Sequence, residues 1–154
     1  MSRLDHCPGC GLVLSEGEES IRSLPQHRRF FALIKAVFHH WPESHPRQFA
    51  DETECRKWLT MKAGHREIGA TIPLVGVNKD RAMFLAEAAI RAAGSYAIPV
   101  IHGDTLVVLK PKSISFRSLG HAAFCKLNDE VDAVILAETG MEAGQVLRET
   151  EKAA

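Results

Sequence analysis

The stretch "IRSLPQHRRFFALIKAVFHHW", residues 21–41, opens polar and basic and ends apolar, and its reading decides how the fold begins. Ser23 followed three residues later by Gln26 fits a capping box, in which the serine oxygen accepts the amide hydrogen and the glutamine reaches back to the cap. Pro25 falls in the first turn, where a missing N–H costs nothing. Phe30, Leu33, Ile34, Val37 and Trp41 then recur at helical spacing until Pro42. The spacing therefore predicts one helix from Ser23, with basic first turns and a buried apolar stripe behind them.

Further elements follow outward from that helix. Residues 45–65, "HPRQFADETECRKWLTMKAGH", predict a second helix capped by Asp51, with acids in its first turn and Gly64 to end it. Cys55, Trp58, Leu59 and Lys62 are spaced along it. Residues 68–77, "IGATIPLVGV", read as an edge strand or as a long connection, because glycines and Pro73 interrupt a β-branched run. Residues 78–94, "NKDRAMFLAEAAIRAAG", predict a helix capped by Asn78 and stopped by Gly94, with Phe84, Leu85, Ala88 and Ala89 on one side. Its alanines predict close packing.

Residues 96–112, "YAIPVIHGDTLVVLKPK", predict two strands around His102-Gly103-Asp104, the first demoted to an edge by Pro99. Residues 118–140, "SLGHAAFCKLNDEVDAVILAETG", predict a helix capped at Ser118, with Ala123, Phe124, Leu127, Val131, Val134 and Ile135 near helical spacing. A short, frayed helix is expected after Gly140. The fold class expected is α+β: one mostly helical domain of four to five helices with a small antiparallel hairpin or sheet, residues 21–154, preceded by a cysteine-containing arm, residues 1–20.

Nineteen Lys and Arg balance nineteen Asp and Glu, so net charge exerts no global pull toward nucleic acid or anionic lipid. Distribution differs from the total: Arg22, Arg28, Arg29 and Lys35 fall in a stretch without an acid, and the tail from Asp129 to Glu151 is dominated by carboxylates. No apolar run approaches membrane-spanning length and the N-terminus lacks a signal-like stretch, so a cytoplasmic location without membrane contact is expected.

Cys7-Pro8-Gly9-Cys10-Gly11 has the spacing with which two thiolates grip one tetrahedral metal, half of a possible zinc site. No second such pair exists, and Cys55 and Cys125 fall inside predicted helices as buried thiols. His6, His27 or a second subunit are the candidates to complete the site; a plain thiol-bearing arm or a redox pair are the alternatives. His102 and Asp104 flank a glycine, which a hairpin turn explains more simply than catalysis; a metal-dependent nuclease is the corresponding enzyme reading. His39 and His40 read as surface residues. Phosphate-cradling glycine loops and a G-x-S-x-G nucleophile turn are absent from the sequence, which favours a non-enzymatic protein.

Arg22, Arg28 and Arg29 cluster at a predicted helix N-terminus, where amides and dipole already favour phosphate and arginine adds bidentate contacts. Lys110, Lys112 and Arg117, with Ser113 and Ser115, form a second cluster suited to a nucleic-acid backbone. The alternative for either is a solvated charged face.

The segment "RSLPQHRRFF" resembles the Arg-Ser-Leu-x-Gln-Asn-Arg signature of a group of bacteriophage proteins, with His27 where asparagine is usual. One branch is the phage lambda NinB (Orf) recombination-mediator family; a closer branch comprises uncharacterised phage and prophage proteins that also share the "CPGCGLVL" start. The likeness covers most of residues 21–136 and is weakest against the mediator branch over residues 68–109. It implies a homodimeric, non-enzymatic protein that binds single-stranded DNA and host single-strand-binding protein, with Arg22, Gln26, Arg28 and Arg29 at signature positions. In a protein that holds single-stranded phosphate with arginines and lysines, an aromatic such as Phe30 or Trp41 is the expected ring for stacking a base. A protein-interaction adaptor, zinc-stabilised and directed at a host protein, is the alternative from another class.

Overall fold

The computed structural model describes residues 5–6, 13–14, 24–115 and 119–153. The chain is α+β: among the described residues there are five helices, a three-stranded antiparallel sheet and a two-residue strand pair. The strand pair joins β1, Asp5–His6, to β2, Val13–Leu14. The chain divides into two compact units, Met1–Ala63 with Ser113–Ala154, and Gly64–Lys112.

The first unit is helical. Helix α1, Leu24–His39, and helix α2, Glu52–Lys62, are followed after the second unit by α4, His121–Thr139, and α5, Ala143–Ala153. The apolar stripe of α1 is buried as its spacing predicts, with Phe30, Ile34 and Val37 at 2%, 2% and 0% exposure. Helices α5 and α2 pack against α1, and Leu59 of α2, Phe124, Val131 and Ile135 of α4, and Val146 and Leu147 of α5 are buried as well. Removing each such side chain from water contributes roughly 1.5–3 kcal/mol, which is why α1 holds its place. The Phe30 and Phe124 rings meet edge to face at 5.3 Å.

Asp51 caps α2 as expected, its Oδ1 accepting from the Glu54 amide at 2.8 Å, and Gly64 follows with φ +95°. Two expectations need correction. Helix α4 starts at His121 with Gly120 as its N-cap, later than the Ser118 cap expected. Nor is the terminal helix frayed: α5 runs eleven residues and buries Ala143, Val146 and Leu147, whose i, i+3, i+4 spacing lays them against α1. The capping box expected at Ser23 falls on a residue outside the described ones.

The second unit holds β3, Arg66–Pro73; α3, Lys79–Ala92; β4, Ile98–His102; and β5, Thr105–Pro111, in sheet order β3-β5-β4. The ambiguous run thus forms a strand, at one edge, with Pro73 at its end and a register shift around Gly69. Strand β4, with Pro99, is the other edge. The hairpin turns tightly at Gly103-Asp104, and Gly103 takes φ +60°, a conformation open to glycine. Asn78 caps α3, its Oδ1 accepting from the Arg81 amide at 2.9 Å.

Close packing of the alanine-rich α3 is not met. No residue of α3 is buried; Ala82, Met83, Ala86 and Ile90 are half-covered, and Phe84 and Leu85 stay 70% and 56% exposed. Of the side chains predicted to share a face, Phe84, Leu85 and Ala89 are exposed and Ala88 is half-covered.

Candidate nucleic-acid interface

The first turn of α1 holds no acid. Arg28, Phe31, Ala32 and Lys35 stand at i, i+3, i+4 and i+7, so they form one row, and all four are exposed. Phe31 is 39% exposed although its neighbour Phe30 is 2% exposed, because successive residues on a helix point about 100° apart. Helix α2 sets Arg56 against this row, its guanidinium carbon 5.7 Å from the Phe31 ring centroid. A groove of about 260 Å³ opens there, lined by Phe31, Ala32, Lys35, Glu52, Thr53 and Arg56. Partial burial lowers the Arg56 pKa, but an arginine starts so high that it keeps its charge at neutral pH. Glu52 is the acid of the groove, 3.8 Å from His39.

This places the stacking ring elsewhere than expected. Phe30 is in the core and Trp41, 8% exposed, sits in an aromatic cluster with Phe49 and Trp58, its Nε1 donating to the Arg47 carbonyl at 2.8 Å. Phe31 is the exposed ring of α1. Its signal was legible: it is the aromatic that falls off the 30-33-34-37 stripe.

The other flank of α1 faces α4. Gln26 is half-buried and its Nε2 donates to Cys125 Sγ at 2.8 Å. Gln26, Arg29 and Phe30 line a small cleft with Asn128, Asp129 and Asp132. Burial pushes the Asp132 carboxyl up to about 6, with Arg29 opposing the shift and Asp129 adding to it. The structure thus brings Gln26, Arg28 and Arg29 together on α1 but turns them apart, Arg28 onto the exposed row with Phe31 and Arg29 toward the acids of α4.

Lys110 and Lys112 adjoin each other at the end of β5, in the other unit; both are exposed, and Lys110 pairs with Glu67 at 3.3 Å. Asp104 of the hairpin turn lies 3.4 Å from Lys79 Nζ and accepts through its carbonyl from the Leu74 amide at 2.7 Å, a turn's role. Arg22, Arg117, Cys7 and Cys10 lie outside the described residues. Among the described residues no group of three or more His, Cys, Asp and Glu side chains is arranged to hold a metal, and no helix is long and apolar enough to cross a membrane. Comparison with protein-family models, curated proteins and solved structures finds no match.

Proposed function

We propose that this chain is a phage-derived, non-enzymatic accessory protein of DNA recombination or replication, acting in the cytoplasm on single-stranded DNA. The observation that carries this reading is the exposed Phe31 ring beneath Arg56, with Arg28 and Lys35 on the same row. A flat aromatic flanked by cations suits a single strand, whose unpaired base stacks on the ring while its phosphates meet the cations. A duplex hides its base faces, so the same row favours single strands. Arg22, Arg29 and Arg117 are further candidates for phosphate contact, Lys110 and Lys112 are candidates carried by the other unit, and host single-strand-binding protein is the second partner that the sequence resemblance implies.

Fluorescence anisotropy with labelled single- and double-stranded oligonucleotides over a salt series tests this. Arg28, Lys35 and Arg56 alone give a log–log salt slope of about −2, and each further phosphate contact steepens it by about 0.7. Phe31→Ala should weaken single-strand binding by about 1–3 kcal/mol, and Arg28→Ala with Lys35→Ala should flatten the slope. Absence of binding at low salt, or binding indifferent to Phe31, refutes the proposal.

A protein-binding role has its own observation, the solvent-facing Phe84 and Leu85 of α3. In the DNA reading this face joins two copies into a homodimer; in the adaptor reading it docks a host protein. Light scattering separates them: a dimer that Phe84→Glu converts to monomer supports the first, and a wild-type monomer supports the second.

A further inference from the structure

We infer that the groove between α1 and α2 takes a guanine base of the bound strand and that Glu52 is the residue that selects it, an assignment that rests on the single-strand reading of the groove. Stacking on Phe31 and phosphate contacts to Arg28, Lys35 and Arg56 accept every nucleotide alike, because each has an aromatic face and a phosphate. A carboxylate among those cations serves neither purpose. It repels phosphate and it cannot stack.

Helix capping does not employ it either. Asp51, Glu52 and Glu54 all stand at the start of α2. Asp51 Oδ1 accepts from the Glu54 amide at 2.8 Å, and Glu54 Oε2 accepts from the Ala50 amide at 2.9 Å. The Glu52 carboxylate accepts no hydrogen bond from the described residues; its basic neighbour is His39, Oε1 lying 3.8 Å from Nε2, with both side chains about half exposed. Arg56 stands at i+4 from Glu52, a spacing that commonly forms an ion pair. It lies instead against Phe31, 5.7 Å from the ring centroid, and among the described residues no ion pair joins it to Glu52.

An ionised carboxylate offers two acceptor oxygens and no donor. On a single strand the Watson–Crick edges of the bases are open to such a group. Guanine presents two donors side by side on that edge, N1–H and the N2 amine, and a carboxylate meets both at once in parallel charge-assisted hydrogen bonds. Cytosine and adenine present one amine there, beside a ring nitrogen whose lone pair repels the carboxylate. Thymine presents one N–H between two carbonyl oxygens. Guanine is therefore the base that turns the acid's repulsion into attraction. Thr53, exposed and next on the helix, adds a hydroxyl able to donate to guanine O6.

The size and lining of the groove agree. At about 260 Å³ it falls just below the pockets of drug-sized ligands, roughly 300–1,000 Å³, which suits one base rather than a stack of them. Buried Ile34 contributes an apolar part of the lining, and the small Ala32 leaves room beside Phe31. Selection is a difference of affinities, and Glu52 acts on both sides of it, by hydrogen bonds to guanine and by repulsion of the lone pairs that the other bases present.

The test uses the full chain and labelled oligothymidylates carrying one central guanine, adenine, cytosine or hypoxanthine, read by anisotropy at one low salt concentration. The guanine strand should bind at least about 5-fold more tightly than the all-thymine strand, the lower end of what one bidentate base contact discriminates. Hypoxanthine keeps N1–H but lacks the N2 amine, and should lose most of that gain. In Glu52→Gln the guanine-to-thymine ratio should fall to about one, and Glu52→Asp should retain part of it. Strand binding with equal affinity for guanine, hypoxanthine and thymine overturns the assignment and leaves the single-strand reading standing. A guanine preference that survives in a folded Glu52→Gln overturns the role of Glu52. Absence of binding to any strand overturns both readings, and tight GMP binding by such a chain moves the groove to a free nucleotide. The hypoxanthine comparison needs no variant, so a misfolded mutant does not shelter the assignment.

Discussion

Asp132 shows how one residue's placement sets a measurable property. Its carboxyl is raised from the ordinary value of 3.8 to about 6, first by burial. An acid whose folded pKa exceeds its unfolded pKa releases its proton more readily when the chain unfolds. Stability therefore falls as pH rises from about 4 to about 6, and stays reduced above that. Asp132→Asn should stabilise the protein at pH 7 by on the order of 1 kcal/mol, a figure discounted for partial solvent screening. The gain should disappear below about pH 4. Urea midpoints of both proteins across that range decide the matter, and equal midpoints at pH 7 would falsify the assignment. The sequence marked residues 129–151 as acidic. It could not show that Asp132 turns into a cleft beside Arg29 and Asp129, because that depends on how α4 rotates against α1.

At the scale of elements, Glu138 near the end of α4 ties three pieces together. Its carboxylate meets His45 of the α1–α2 connection at 3.1 Å and Lys62 of α2 at 3.2 Å. These partners hold its pKa below the usual glutamate range, the hydrogen bond from His45 being the largest cause. A depressed acid stabilises the fold above its unfolded pKa, and that contribution is lost as pH falls through the folded value. Glu138→Gln should cost about 1 kcal/mol at pH 7. The difference should shrink toward zero in acid, as thermal melts at pH 7 and pH 3 would show. Helix existence and caps were legible in sequence at this scale: Asp51, Asn78, Gly64, Gly94 and Gly140 all stand where local backbone chemistry requires them. The strength of α5 was not, because so short a helix draws its stability from packing.

Across the whole molecule, the two units differ in how much they bury. In the helical unit four helices share a core, whereas in residues 64–112 only Leu74 and Leu106 are buried and β3 is exposed along its length. Local opening free energy follows buried apolar contact, so amides of α3 and β3 should exchange hydrogen faster than those of α4 by orders of magnitude. Exchange mass spectrometry of the full chain at low concentration reads this directly. Equal protection would mean that α3 is covered in solution. Protection of α3 that grows with protein concentration would point to a second copy on the Phe84–Leu85 face.

By itself the sequence determined the helical period of α1 and its buried stripe, the caps at Asp51 and Asn78, the stops at Gly64, Gly94 and Gly140, and the hairpin at Gly103, but not the strand at 66–73, the start of α4 or the strength of α5. The features it determined follow from local sterics and from which residues repeat at 3.6 or 2 positions. Only the tertiary structure decided that Arg56 comes to lie against Phe31, that Gln26 reaches Cys125, and that His121 and Cys125 lie side by side in a buried setting. Periodicity fixes which face of a helix is apolar but not which face it meets, and the groove at Phe31 is made where two helices meet.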